Sequence, residues 1–194
     1  RREGYEADKN RIFIYNFSTG EETNFSTDFN QSAHGLTWSS DSKKLYFTSG
    51  HHATYQVYEL SLEDGMIRKV TEGRHNYQSV EQAGDILIGA KQSMSQPTEI
   101  YSIDPSSGKE TQLSFINKNL MDQLTMGNVE KRWIETTDGK QMLTWVIYPP
   151  HFDRGEKYPT LLYCQGGPQS AVSQFFSYRW NFQMMAANGY IIVA

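Results

Sequence analysis

Apolar and polar residues alternate through most of the first two thirds of the chain, in short runs cut by turns. Arg11-Ile12-Phe13-Ile14-Tyr15, Gln56-Val57-Tyr58-Glu59-Leu60 and Glu99-Ile100-Tyr101-Ser102-Ile103 each read as a strand. Each is followed by a polar turn closing on glycine (Gly20, Gly65, Gly108) and a second short strand, near Glu22-Thr23-Asn24, Ile67 to Val70 and Glu110 to Leu113. Tyr15, Tyr58 and Tyr101 recur at a period of 43 residues, within the span of a four-stranded propeller blade. Two further strand pairs precede the second and third units. One is Leu36 to Thr48 with Ser39-Ser40-Asp41-Ser42 at its turn, the other Val80 to Gly89 with Gly84-Asp85. The pattern predicts successive antiparallel blades, each unable to bury its faces alone. About three fit, fewer than the four to eight of a closed ring. The competing reading is a small β-sandwich with an accidental period.

The pattern changes after Asn117. Leu120, Met121 and Leu124 suit one face of a short helix or an irregular connector. Val129–Glu135 and Gln141–Tyr148 then predict a hairpin, with Asp138-Gly139 at its turn. Pro149-Pro150 ends the second strand. Thr160 to Tyr163 is a short apolar run bounded by Pro159 and Gly166-Gly167-Pro168, which favours a buried strand. Trp180, Met184 and Ala187 have helical spacing over Tyr178–Asn188, closed by Asn188-Gly189. Tyr190 to Ala194 is a last buried strand. Strand, helix, strand is a βαβ unit, so a parallel pair is expected. The predicted division is a partial propeller over residues 1–126 and an α/β region over 127–194.

Composition removes some function classes. The net charge is −4 with both signs interspersed, so no basic footprint for nucleic acid exists. No apolar run reaches the length of a membrane span. Cys164 is the one cysteine, which excludes an intrachain disulfide and a Cys-based metal cluster; no cofactor or metal is expected. The first residues carry no apolar h-region. The chain opens without Met and ends on an apolar strand, so it reads as a piece of a longer protein.

The residues Tyr5-Glu6-Ala7-Asp8 with Arg11, Trp38-Ser39-Ser40-Asp41 with Lys44 to Thr48, Tyr158-Pro159 through Gly166-Gly167-Pro168-Gln169, and Ala186 to Ala194 together resemble the prolyl oligopeptidase family of serine peptidases. The order of these motifs is more specific than any one of them. Because Gly-Gly-Pro follows a residue other than Tyr, the chain looks most like the bacterial dipeptidyl peptidase and acylaminoacyl peptidase branch. The resemblance implies the C-terminal blades of a β-propeller followed by the first strands and helix of an α/β-hydrolase domain. It implies a Ser-Asp-His triad whose Ser sits in a G-x-S-x-G elbow. No such motif occurs in the chain, so the triad is expected beyond it, and the fragment alone is expected to be inactive. The implied partner is a short peptide. The implied compartment is bacterial periplasm or cytoplasm, leaning to periplasm. Oligomeric state is not set by the sequence. The alternative is a non-catalytic propeller binding module with an appended α/β segment.

Within that frame Gln165 and Gly166 are the oxyanion-hole candidates, since the family's Tyr hydroxyl is replaced in this chain by Gln165. A side chain at Gly166 is expected to obstruct the substrate carbonyl. A plain strand-to-loop turn is the competing reading. Cys164, one residue past a buried strand with no His motif beside it, reads as a packed core thiol. His51-His52 reads as a solvated loop with its rings on opposite faces. His34, His75 and His151 carry no role. Trp38, Trp133, Trp145 and Trp180 are expected to fill cores. Glu6 and Asp8 either face the propeller tunnel or pair with Arg11.

Overall fold

A computed structural model describes residues 2–5, 7–167 and 170–194. Strands β1 (Phe13–Tyr15) and β2 (Glu22–Asn24) form an antiparallel hairpin. Strands β3 (Ala33–Trp38), β4 (Lys44–His51), β5 (Thr54–Ser61) and β6 (Ile67–Lys69) pair antiparallel in chain order. Strands β7 (Asn76–Ala83), β8 (Ile86–Ser93), β9 (Gln96–Ile103) and β10 (Glu110–Gln112) repeat that order. The two four-stranded units meet through one parallel pair, Tyr55 with Asn76. They are propeller blades, and β1–β2 matches the outer two strands of each.

The period-2 alternation buries both faces of a blade. Leu45, Phe47, Tyr58 and Leu60 turn toward Ile12, Ile14 and Phe25 of the preceding unit. Tyr46 and Val57, on the opposite face, join Tyr77, Val80, Leu87 and Ile103 of the next. A polar contact also crosses between blades: Arg68, held by two hydrogen bonds to Glu59 of its own blade, donates to the Pro105 carbonyl of the next at 2.7 Å.

The repeat is carried by its glycine turns and not by its tyrosines. Gly20, Gly65 and Gly108 have φ of 74°, 73° and 70°, a left-handed geometry that glycine adopts without strain. Each donates its N–H to the carbonyl four residues earlier, on Asn16, Ser61 and Asp104. The tyrosines do lie on equivalent strands, but their registers differ. Tyr58 and Tyr101 oppose Lys69 and Gln112, and the residue in that place on β1 is Phe13, opposite Asn24. Tyr15 stands two residues further on, where the later blades have Leu60 and Ile103.

After β10 a four-residue helix, α1 (Lys118–Met121), interrupts the connector. Strands β11 (Val129–Glu135), β12 (Gln141–Ile147), β13 (Thr160–Leu162) and β14 (Ile191–Val193) form a sheet in the order β11-β12-β14-β13. The β11–β12 hairpin turns at Gly139, φ 76°. β13 and β14 are parallel and joined by α2 (Phe182–Ala187), the predicted βαβ unit.

This region departs from the sequence reading in three places. The helix is shorter than Tyr178–Asn188, because Asn181 caps it by accepting the Met184 N–H at 3.0 Å. Its buried face is Phe182, Gln183 and Ala186; Trp180, Met184 and Ala187 are exposed. Strand β13 is exposed rather than buried, with Leu162 73% accessible. Within these 194 residues it is one of two edge strands of the sheet, with β14 as its neighbour on one side. Of the tryptophans, only Trp145 fills a core, since Trp38, Trp133 and Trp180 are each about half exposed. The side chain of each of those three lies at a surface of this chain.

Blade tips meet the second sheet in its core. Met94, at the β8–β9 turn, is buried with Trp145, Ile147, Phe182, Ala186 and Ile192. Asn76 donates to Ser173 Oγ at 2.8 Å and accepts the Gln174 N–H at 3.2 Å. Gln92 accepts the Phe176 N–H at 3.1 Å. The segment between β13 and α2 is thus fastened to the third unit by buried polar contacts, each of which would leave an unpaired group if lost.

Candidate functional site

Strand β13 delivers the chain to a turn at its carboxyl end, and the parallel β14 ends beside it. The N–H of Tyr163 donates to the Val193 carbonyl at 2.8 Å. The carboxyl ends of parallel strands are where open α/β sheets bind ligands. The Tyr163 ring stands edge-on to Phe182, with centroids 5.0 Å apart. Its hydroxyl donates to Gln165 Oε1 at 3.0 Å. The start of the turn is therefore fixed from the helix side.

Gln165, Gly166 and Gly167 follow, all exposed. Gln165 Nε2 donates to the Gly166 carbonyl at 3.2 Å. Both ends of the Gln165 amide are therefore engaged within the turn. Ser170 closes the turn: its N–H donates to the Gly167 carbonyl at 3.0 Å, and its Oγ lies 2.8 Å from the carbonyl oxygens of both Gly166 and Gly167. Pro168 and Gln169 of the motif lie outside the described residues.

The left-handed backbone falls at Gly167 and not at Gly166. A Cβ built on Gly166 meets nothing within 4 Å, and its φ is not in the left-handed region. Gly167 has φ +77°, where a side chain is strained. The Gly166 carbonyl is held inside the turn, and a planar trans peptide opposes that C=O to the Gly167 N–H. With the Gly166 oxygen engaged, the Gly167 N–H faces away from those contacts. Among the described residues no acceptor is paired with it.

The other candidates disperse. Cys164 is exposed in this chain, where the strand before it has a neighbour on one side alone. His51 and His52 lie at the β4–β5 turn within one blade, and their rings are 4.2 Å apart on one side. The positive φ of His52, 47°, breaks the extended alternation. The His52 ring stands edge-on to Trp133 at 5.3 Å. Asp8 pairs with Arg2 at 2.7 Å, not with Arg11, and that guanidinium holds its carboxyl well below the ordinary range. Glu6 lies outside the described residues.

His75 has a setting that its sequence did not signal. It is buried beside Tyr77, with Nε2 unpaired and 3.8 Å from Glu110. Glu110 accepts hydrogen bonds from Tyr77 at 2.8 Å and Lys91 at 2.5 Å. Burial lowers the His75 pKa to about 4, against the opposing pull of Glu110. The signal available was the Gly73-Arg74-His75 turn leading into a blade's first strand, too common a pattern to mark burial.

Comparison with known proteins gives a consistent set of relatives. No family model matches the chain. Dipeptidyl-peptidase 5 of Porphyromonas gingivalis is 42% identical over 193 residues, 100% of this chain and 28% of that protein. Dipeptidyl-peptidase 5 of Porphyromonas endodontalis is 45% identical over 192 residues, 99% of this chain and 28% of that protein. Among solved structures, Pyrococcus horikoshii acylaminoacyl peptidase superposes with a TM-score of 0.78 at 27% identity, covering 94% of this chain and 27% of that one. The chain thus spans about 28% of the length of the curated relatives it matches. The resemblance to the prolyl oligopeptidase family, first carried by motif order, holds across the whole chain.

Proposed function

We propose that this chain is part of a serine peptidase that hydrolyses short peptides, in the manner its dipeptidyl and acylaminoacyl peptidase relatives are named for. The two regions are read as domains: residues 1–126 as the last blades of a propeller, residues 127–194 as the start of an α/β-hydrolase domain. The Ser-Asp-His triad lies outside these 194 residues. The observation that carries the reading is the Gly166–Gly167 turn at the carboxyl end of a parallel strand, within a chain whose whole length aligns with 28% of Porphyromonas gingivalis dipeptidyl-peptidase 5.

In this reading the turn acts on the transition state. When the nucleophile adds to the scissile carbonyl, the C=O π electrons move onto oxygen, and that charge needs donors already in place. The N–H of Gly167, which has no acceptor among the described residues, is the donor, and Gln165 and Gly166 support it by fixing the adjoining peptide. The left-handed φ of Gly167 aims the group without a side chain in the way. The propeller covers the site and limits entry to short peptides.

The test is hydrolysis of chromogenic dipeptidyl and acyl-aminoacyl substrates by the full-length protein. Turnover abolished by a serine-directed phosphonate is expected. The 194-residue chain alone is expected to give none. A full-length protein without turnover or phosphonate labelling would remove the enzymatic reading in favour of a binding module.

A further inference from the structure

The Gly166–Gly167 peptide is held in orientation by hydrogen bonds and not by packing. Neither residue has a Cβ, and one built on Gly166 would touch nothing within 4 Å. Steric contact therefore leaves this peptide plane free to rotate. What opposes rotation is the set of donors at the Gly166 oxygen: Ser170 Oγ at 2.8 Å and Gln165 Nε2 at 3.2 Å.

A serine hydroxyl carries one proton. Ser170 Oγ lies 2.8 Å from two carbonyl oxygens, those of Gly166 and Gly167. The Gly167 oxygen already has a donor, the Ser170 N–H at 3.0 Å. The hydroxyl proton is therefore best used at Gly166. Its acceptor is the carbonyl of the same peptide that carries the Gly167 N–H, so anchoring one end of the plane aims the other.

We propose that Ser170 is a positioning residue for the oxyanion turn: its hydroxyl, bound to the Gly166 carbonyl, holds the Gly167 N–H toward the reacting carbonyl. The inference rests on the reading of the chain as part of a serine peptidase. Ser170 itself touches no reacting atom. Gln165 is the secondary brace, longer in reach and itself solvent-exposed.

The experiment is steady-state kinetics on the full-length enzyme, with thermal melts, for wild type, Ser170→Ala and Ser170→Thr. Deleting an oxyanion donor outright slows turnover by about 10²–10³. Ser170→Ala keeps the donor but releases its plane, so a fall in kcat of about tenfold to a hundredfold is expected, with KM within about twofold. Affinity for a peptidyl boronate, which mimics the tetrahedral state, should fall by the same factor as kcat/KM. Ser170→Thr keeps the hydroxyl and should recover most of the rate. Melting temperatures should match wild type, since within this chain the Ser170 side chain bonds only to the turn's own carbonyls. A Ser170→Ala enzyme with kcat within about twofold of wild type would overturn the inference, as would a Thr variant as slow as the Ala variant. Either result in an active wild type leaves the peptidase reading standing. An inactive wild type overturns both together.

Discussion

Gln183 and Gly127 are paired through both faces of one peptide-like contact. Gln183 Oε1 accepts the Gly127 N–H at 2.8 Å, and Gln183 Nε2 donates to the Gly127 carbonyl at 3.0 Å. The same Nε2 donates to Ser95 Oγ at 2.8 Å. One side chain of α2 thus binds the point where the propeller strands end and the turn beside Met94. The pair is buried, so its loss strands several polar groups at once.

Gly127 also has no room for a side chain. A Cβ there would stand 1.8 Å from the backbone oxygen of Tyr148, which can move only if β12 moves with it. In the full-length protein Gly127→Ala is expected to destabilise by about 2–4 kcal/mol. Gln183→Ala should cost about 1–3 kcal/mol through the unpaired Gly127 groups. Urea melts of the two variants give both values. A Gly127→Ala variant as stable as wild type would contradict the packing described.

Met94 is the propeller's apolar contribution to the second core, packed with Trp145 and Phe182. Met94→Ala is expected to cost about 2–5 kcal/mol, the range for truncating a buried large side chain. The loss should appear in the α/β region as well as in the blades. Hydrogen exchange would show it as faster exchange in β12 and β14. Protection unchanged in both strands would mean that the two regions are energetically separate.

His75 gives the stability a defined pH dependence. Its folded pKa is lowered from 6.5 to about 4 by burial, so the unfolded chain binds a proton more readily than the folded one. Stability from this group is complete above pH 6.5 and is lost as pH falls toward 4. The loss is on the order of 3 kcal/mol. Denaturant midpoints of the full-length protein should fall between those limits, and His75→Gln should flatten that part of the curve. Parallel curves for the two proteins would show that His75 does not carry the effect. Glu110 and Glu72 oppose the shift by drawing a proton toward His75, and Lys91 adds to it by repelling one.

Most of the architecture was legible because it rests on local signals. Alternation located the strands, Asp138-Gly139 located a hairpin, and Asn188-Gly189 closed a helix where Gly189 adopts φ +86°. Burial was less legible, since it depends on what packs from elsewhere in the chain. Leu161 and Leu162 look like core residues but occupy a sheet edge, and Cys164 follows them to the surface. Trp180 and Met184 have helical spacing, yet Trp180 precedes the helix that Asn181 caps, and the face packed on the sheet is Phe182 and Ala186. In the strand-to-helix loop, sequence located the turn but not its internal hydrogen bonds. Gly166 and Gly167 are equivalent as letters, and only the backbone angle and the Ser170 contacts distinguish them.

If the Gly166–Gly167 turn supplies an oxyanion donor in a complete serine peptidase, a bound transition-state mimic must lie against it. A crystal structure of the full-length protein after reaction with a peptidyl phosphonate shows this directly. Covalent attachment to a serine outside this chain is expected, with a phosphonyl oxygen about 2.7–3.1 Å from the Gly167 nitrogen. A covalent adduct whose oxygen points away from Gly167, held by other groups, would contradict the assignment of the turn.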